Sequence, residues 1–106
     1  MSVTNLPPKK KITANSVQPI IRSDFNVVAA TATVSKLVRE QPRRTEVIIT
    51  NTSSAPLYIA LSFLPSSTNY TVALQSGASF LSDTTDAING VWASAAGGQA
   101  NITERY

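Results

Sequence analysis

The chain is a succession of short β-type segments separated by turn residues, and this spacing constrains its fold most strongly. Residues 45–50, TEVIIT, are dense in β-branched residues, and residues 57–61, LYIAL, alternate large apolar side chains with others. Similar segments recur at intervals of about 12 residues. A helix fits only at residues 35–41, and we do not predict one there. The pattern predicts an all-β protein, a small antiparallel β-sandwich or a jelly-roll-like barrel.

Further strands are predicted in the rest of the chain by the same alternation. Residues 25–38 alternate loosely, with Val28, Ala30, Ala32 and Val34 on one side. The remaining predicted strands are residues 70–74, 79–81, 90–93 and 100–105. We predict that the last two form a closing hairpin, because the turn dipeptide Gly97-Gly98 lies between them.

The formal charge of the chain is concentrated at its start. Residues 1–24 hold four basic residues and one acidic residue, a net charge of +3, whereas residues 25–106 hold five of each. The first segment also contains three prolines and shows no sustained period of 2 or 3.6. We therefore predict an extended basic arm over residues 1–24 and a β-sandwich domain over residues 25–106. The basic side chains predicted to dock this arm on a partner are Lys9, Lys10, Lys11 and Arg22.

The composition of the chain argues against many classes of function. The sequence contains no histidine and no cysteine, so the usual general base and the usual zinc ligands are missing. A phosphate-binding loop and a dinucleotide fingerprint are also missing from the sequence. Near the start, no apolar run has the length of a signal peptide, and no stretch approaches the ~20 apolar residues that span a bilayer. We predict a non-enzymatic, soluble protein made in the cytoplasm, with no cofactor and no membrane partner.

The segment 83–90 is the one candidate for a cation site. Asp83, Asp86 and Asn89 offer oxygen ligands of the kind that calcium takes. Their spacing does not match the EF-hand, and no neighbouring segment completes a cage. We interpret the segment as a turn whose Asp side chains cap backbone groups, and we predict no metal site.

The three consecutive lysines at 9–11 have two interpretations. They can neutralise phosphates, or they can dock on an acidic groove of a protein. Surfaces that bind single-stranded nucleic acid add aromatic stacking platforms, and no aromatic residue is interleaved here. We expect a protein partner and no nucleic acid.

The aromatic residues Tyr58, Tyr70, Trp92 and Tyr106 also allow two interpretations. They can line a surface for a sugar or peptide, or they can be cross-strand and edge residues of the sandwich. Trp92 lies between Val91 and Ala93 on a predicted strand, so it faces away from both. We predict that Trp92 is at least partly buried.

A series of short motifs runs through residues 43–104. An Arg leads a strand that ends in Ile-x-Asn, and a Ser-rich turn and a Leu-Tyr-Ile strand follow. A Tyr-Thr-Val segment, a Gly-Ala pair, a Gly-Val-Trp strand and a closing Gly-x-Ala-x-Ile-Thr-Glu strand come later. The positions are Arg44, Ile49, Asn51, Ser53, Leu57-Tyr58-Ile59, Tyr70-Thr71-Val72, Leu74, Gly77-Ala78, Gly90-Val91-Trp92, Gly98, Ala100 and Ile102-Thr103-Glu104. This series resembles small structural proteins of tailed bacteriophages. It departs from them at Ala60, where the family pattern often has Gly.

The resemblance implies a virion structural protein, made in the host cytoplasm, that decorates or cements the capsid through its arm. Its implied partners are the major capsid protein or other virion proteins, and it is expected to be a homo-oligomer. A neck, tail or fibre-base component remains an alternative, as does a carbohydrate- or receptor-binding β-module that uses the aromatic residues. The 25 Ser and Thr residues against 15 charged residues agree with a weakly charged surface that another protein covers.

Overall fold

The computed structural model describes residues 22–106, and the lysines at 9–11 lie outside this range. The described residues form eight β-strands: β1 (Ser23–Ala29), β2 (Ser35–Val38), β3 (Glu46–Asn51), β4 (Leu57–Leu61), β5 (Val72–Leu74), β6 (Ser79–Ser82), β7 (Ile88–Trp92) and β8 (Gln99–Arg105). Residues 22–106 contain no helix long and apolar enough to cross a membrane.

The strands form two four-stranded antiparallel sheets. The first sheet has the order β1-β8-β3-β6 and the second has the order β2-β7-β4-β5. The chain changes sheet after every strand except β4, which pairs with β5. This is the double-sheet, eight-stranded arrangement of a jelly roll. The predicted all-β antiparallel fold is therefore confirmed.

The core lies between the two sheets and follows the period of two residues in each strand. In β3, Val47 and Ile49 are fully buried while Ile48 between them is only half-buried. In the facing sheet, Leu57 and Ile59 occupy the equivalent inward positions of β4. Burial of each such side chain stabilises the fold by about 1.5–3 kcal/mol. The buried cluster comprises Leu37, Val38, Val47, Ile49, Ala55, Leu57, Ile59, Leu74, Ile88, Trp92, Ala100 and Ile102.

The predicted hairpin of residues 90–93 with residues 100–105 is wrong. β7 lies between β2 and β4 in the second sheet, whereas β8 lies between β1 and β3 in the first. Gly97 and Gly98, at φ values of 81° and 79°, belong to the connection that carries the chain from one sheet to the other. Each strand has its own inward apolar row, and the two rows meet face to face across the core instead of side by side in one sheet.

Two further boundaries differ from the sequence pattern. β1 begins at Ser23, so the last two residues of the predicted arm take part in the first sheet. The region 35–41, where a helix was the only local alternative, contains β2, whose register with β7 shifts between Lys36 and Val38. Such a shift marks a β-bulge or irregularity, which bends a strand and interrupts its ladder.

Gly97 and Gly98 offer a matched pair of substitutions. Both residues have φ near 80°, where an Ala costs about 1–2 kcal/mol. A Cβ on Gly97 would meet nothing within 4 Å, whereas a Cβ on Gly98 would lie 2.7 Å from the Cα of Ser53. We expect Gly98→Ala to lower the free energy of unfolding by at least about 2 kcal/mol more than Gly97→Ala. Urea denaturation followed by Trp92 fluorescence measures both. Equal losses would show that the 93–98 connection can move away from Ser53.

Candidate functional site

Arg44 lies just before β3, and its side chain is completely buried beside the connection between β6 and β7. Its Nε and Nη2 donate to the carbonyl oxygen of Thr84 at 3.2 and 2.9 Å, and Nη2 also donates to that of Asp86 at 2.7 Å. Its Nη1 donates to the carbonyl oxygen of Arg39 at 3.0 Å and to Oε2 of Glu104 at 2.8 Å. All five donors of the guanidinium are therefore used.

The bonds of Arg44 show what the backbone carbonyl groups of the segment 83–90 bind. The carbonyl oxygens of Thr84 and Asp86 already face a cation, the guanidinium of Arg44. The caps that we assigned to Asp side chains are made by hydroxyl groups instead: Ser82 Oγ accepts from the N–H of Thr84, and Thr84 Oγ1 accepts from that of Asp86. Among residues 22–106, no three acidic, His or Cys side chains come together as metal ligands.

Trp92 is buried, with 1% of its surface exposed, as its strand position predicts. Its Nε1 donates to Oδ1 of Asn51 at 3.1 Å, and the same oxygen accepts from the N–H of Ser53 at 3.0 Å. The Nδ2 of Asn51 donates to the carbonyl oxygens of Ala55 and Leu74, both at 2.9 Å. The buried amide is thus bonded on all sides, and Trp92 acts as a structural anchor.

The three tyrosines among the candidate aromatic residues lie in two separate places. The rings of Tyr58 and Tyr70 lie 5.1 Å apart at an interplanar angle of 42°, within the range of favourable aromatic pairs. Tyr106 lies beside Arg22, whose guanidinium is 4.3 Å from the ring centroid. Arg22 also lies 3.5 Å from the carboxylate of Asp24. The one basic residue of the predicted arm that the structure describes is therefore in contact with the sandwich domain itself.

Tyr58 lines a shallow pocket of about 340 Å³. The pocket combines apolar surface with hydroxyl groups, and no acidic or basic side chain lines it. Its lining residues are Ala32, Val34, Tyr58, Pro65, Ser66, Ser67, Val91, Trp92 and Ala93. An uncharged ligand with an apolar face and hydroxyl groups fits this chemistry best.

A second cleft, of about 460 Å³, lies where β1 and β2 form neighbouring edges of the two sheets. Asn26 in β1 is paired with the buried Ile102, so its side chain faces inward, towards Leu37 and Lys36 of β2. A polar residue at this inward position, together with Glu104, leaves the side of the sandwich open and polar.

The outer face of the first sheet carries an exposed apolar row. Phe25 is opposite Thr103, Thr103 is opposite Ile48, and Ile48 is opposite Leu81, so one line of side chains crosses all four strands. Phe25 and Leu81 are 66% and 62% exposed, and Val27 on the same face as Phe25 is 43% exposed. We call Phe25, Val27, Ile48 and Leu81 the outer apolar band.

The free edge of β1 adjoins the outer apolar band. Within residues 22–106, β1 pairs with β8 alone. Hydrogen bonds from Ala30 N to Gly98 O and from Tyr106 N to Arg22 O show that these two residue pairs are hydrogen-bonded pairs of the ladder. Because hydrogen-bonded pairs alternate along an antiparallel ladder, the even-numbered residues of β1 face β8. The N–H and C=O groups that point to the open side are those of Ser23, Phe25, Val27 and Ala29.

The signal for this surface is present in the sequence. Since Val28 and Ala30 pack against the core, Phe25 and Val27 must lie on the opposite face of the same strand. That Ile48 and Leu81 continue the row could not be predicted, because this depends on which strands are neighbours in the sheet.

Comparison with known proteins leaves the family of this chain open. No protein-family model matches it, and no curated protein matches it at a significant level. One solved structure that is similar in fold comes from work describing Bacillus endospore appendages as a novel family of disulfide-linked pili. It has a TM-score of 0.49 and 19% sequence identity, and the match covers 84% of this chain and 89% of that chain. A similarity at this level carries no inference about the function or assembly of this chain.

Arg44→Lys tests the buried guanidinium, with Arg43→Lys as its matched control. A lysine keeps the charge but has three donors on a compact head, so it leaves carbonyl groups of the 83–86 segment without partners. We expect Arg44→Lys to lower the free energy of unfolding by at least about 2 kcal/mol. The neighbouring Arg43 is exposed, and its replacement should change stability by less than about 0.5 kcal/mol. Urea denaturation of both variants measures the difference. Equal stabilities would contradict the structural role given to Arg44.

Proposed function

We propose that this chain is a non-enzymatic structural protein that coats or cements a larger protein array, and that the array is the capsid of a tailed bacteriophage. The observation that carries the proposal is the outer apolar band. Phe25 and Leu81 stand at opposite edges of one sheet, both mostly exposed, and Thr103 and Ile48 lie between them in the same row. Three of the four side chains in this row are apolar, and an exposed apolar patch of this kind is typical of a surface that another protein covers.

The fold and the sequence series support the proposal in different ways. Eight-stranded jelly rolls recur in viral capsid proteins, and they recur in lectins as well. Fold alone therefore does not separate the two functions. The resemblance of residues 43–104 to small tailed-phage structural proteins favours the virion. A neck, tail or fibre-base position would use the same apolar surface and remains within this proposal.

The basic arm supplies the second contact in this proposal. The domain from residue 25 onwards has no net charge, so the +3 of residues 1–24 is the chain's whole formal excess. Lys9, Lys10 and Lys11 would dock on an acidic groove of the major capsid protein or another virion protein. An arm of this kind can add main-chain hydrogen bonds by joining a neighbouring sheet.

Leu81→Lys tests the proposal, with Leu64→Lys as its matched control. Leu81 is 62% exposed on the outer apolar band, and Leu64 is 71% exposed in the connection between β4 and β5. In phage particles purified on a density gradient, we expect the natural chain and Leu64→Lys as regular components. We expect Leu81→Lys to be depleted at least about tenfold, because burying an unpaired lysine at an interface is costly. Mass spectrometry of the particles measures the ratio.

Two results would contradict the proposal. Absence of the natural chain from purified particles would remove the virion role, and equal incorporation of both lysine variants would remove the outer apolar band as the docking surface. Circular dichroism of each variant confirms that it is folded. Replacing Lys9, Lys10 and Lys11 together by Ala should reduce incorporation in addition, if the arm is the second contact.

A carbohydrate-binding module is the second candidate function. The observation that favours it is the tilted aromatic pair of Tyr58 and Tyr70, with Tyr58 lining an uncharged pocket that also has two serines, Ser66 and Ser67. Flat aromatic rings pack against the apolar faces of sugars, and hydroxyl groups complete their hydrogen bonds. The pocket would take a neutral saccharide, since no charged side chain lines it.

Tyr70→Ala tests this second candidate, with Phe63→Ala as its control. Tyr70 is 42% exposed and Phe63 is 37% exposed, so neither change should unfold the domain. On an array of neutral glycans, we expect Tyr70→Ala to lose at least about tenfold in affinity for any glycan that the natural chain retains. Phe63→Ala should bind as the natural chain does. No retention of the natural chain, or equal binding by both variants, would exclude this site.

A further inference from the structure

We propose that two copies of this chain pair antiparallel through the free edges of β1. Their first sheets would then join into one continuous sheet across a two-fold axis. This inference goes beyond the proposed function and needs no phage partner, so the two proposals fail independently.

The four edge strands of the two sheets in residues 22–106 differ in how well they are protected. β2, β5 and β6 have only four, three and four residues, and β2 also carries Lys36 and the register shift next to it. Short length, a lysine and a bulge are the devices by which proteins prevent edge pairing. β1 has seven residues and contains no lysine, no proline and a regular register with β8 throughout. Of these four edges, β1 is therefore the one best suited to pair with another strand.

The open groups of β1 define the register. They belong to Ser23, Phe25, Val27 and Ala29, which are spaced symmetrically around Asn26. With the two-fold axis at Asn26, Ser23 pairs with Ala29 of the second copy, and Phe25 pairs with its Val27. All four positions of each copy are used, giving about eight backbone hydrogen bonds. A shift by one step of the ladder leaves one position of each copy without a partner inside β1. Stable interfaces carry about ten hydrogen bonds, so this edge approaches that number with its backbone alone.

Side-chain chemistry favours a second copy as the occupant. Each Phe25 lies opposite Val27 of the second copy on the outer face, an aromatic and β-branched pair that stabilises antiparallel sheets. This contact also joins the two outer apolar bands.

The charge of β1 favours antiparallel over parallel pairing of two copies. It also disfavours the basic arm as the segment that binds at the β1 edge. Asp24 is the only charged residue of β1, and it already has Arg22 nearby. Antiparallel pairing places each Asp24 opposite Val28 of the second copy, with the two carboxylates about 13 Å apart along the strands. Parallel pairing in register would bring them side by side. A single, already paired acidic residue also offers little attraction to Lys9, Lys10 and Lys11.

Disulfide trapping of the full-length chain tests the pairing. The sequence has no cysteine, so Asn26→Cys introduces a single thiol on the two-fold axis. Residues that face each other in a non-hydrogen-bonded pair have Cα atoms about 4.5 Å apart, within the range that a disulfide bridges. We expect Asn26→Cys to form a covalent dimer under mild oxidation. The control Asp24→Cys, on the same face of the same strand, should remain at least about tenfold less cross-linked because its thiols are too far apart. Equal cross-linking of both variants, or none with Asn26→Cys, would overturn the proposal.

Amide exchange of the natural chain gives an independent test. The N–H groups of Phe25 and Val27 point away from β8, so they exchange quickly in a monomer and slowly in the dimer. We expect their exchange to slow at least about tenfold as the protein concentration rises into the dimer range.

Val27→Pro removes one of these N–H groups without breaking a bond to β8, and it should keep the chain monomeric in analytical ultracentrifugation. Fast exchange at every concentration, or protection that does not depend on concentration, would contradict the dimer; so would a Val27→Pro variant that still dimerises.

Discussion

The buried guanidinium of Arg44 is the interaction on which one end of the sandwich depends. It connects the residue after β2, the 83–86 segment between the sheets, and Glu104 near the end of β8. A buried charge is tolerated only when it is paired and hydrogen-bonded, and here all five donors have acceptors. The guanidinium therefore permits only an arrangement that brings these three segments together.

β3 carries a second polar anchor at its other end. Arg44 precedes the strand and Asn51 ends it, and the amide of Asn51 joins Trp92 in the second sheet to the turn after β3. Between these two anchors lies the apolar row of Val47 and Ile49. One of the two inner strands of the first sheet is thus fixed to the second sheet by polar bonds at both ends and by apolar packing in the middle. Gly98 fits against Ser53 at this same end because it has no side chain.

The local features of this fold could be predicted from the sequence, whereas the contacts between distant residues could not. The positions of the strands follow from alternation, because a half-buried strand repeats every two residues whatever its partner. The partners of β7 and β8 could not be predicted, since their separation by a short Gly-containing connection suits a hairpin and a crossover equally. The role of Arg44 could not be predicted either: two of its acceptors are the backbone carbonyls of Thr84 and Asp86, 40 and 42 residues away, and every residue type has a backbone carbonyl. Burial of Trp92 was predictable, but its bond to Asn51 was not.

The open side of the sandwich, along β1, is where a bound partner would add most stability. β1 contributes only Val28 to the packing around the core, and Asn26 occupies the inward position where an apolar side chain would close the gap to β2. The strand is therefore held mainly by its hydrogen bonds to β8, and apolar side chains on its outer face remain in water. A domain of this size buries only about two-thirds of the surface of its unfolded chain, so its margin of stability is small. Contacts that cover β1 stabilise the native state by mass action at the place where its own packing contributes least. An edge with these properties gains stability from assembly, whereas an edge closed by core packing would gain little.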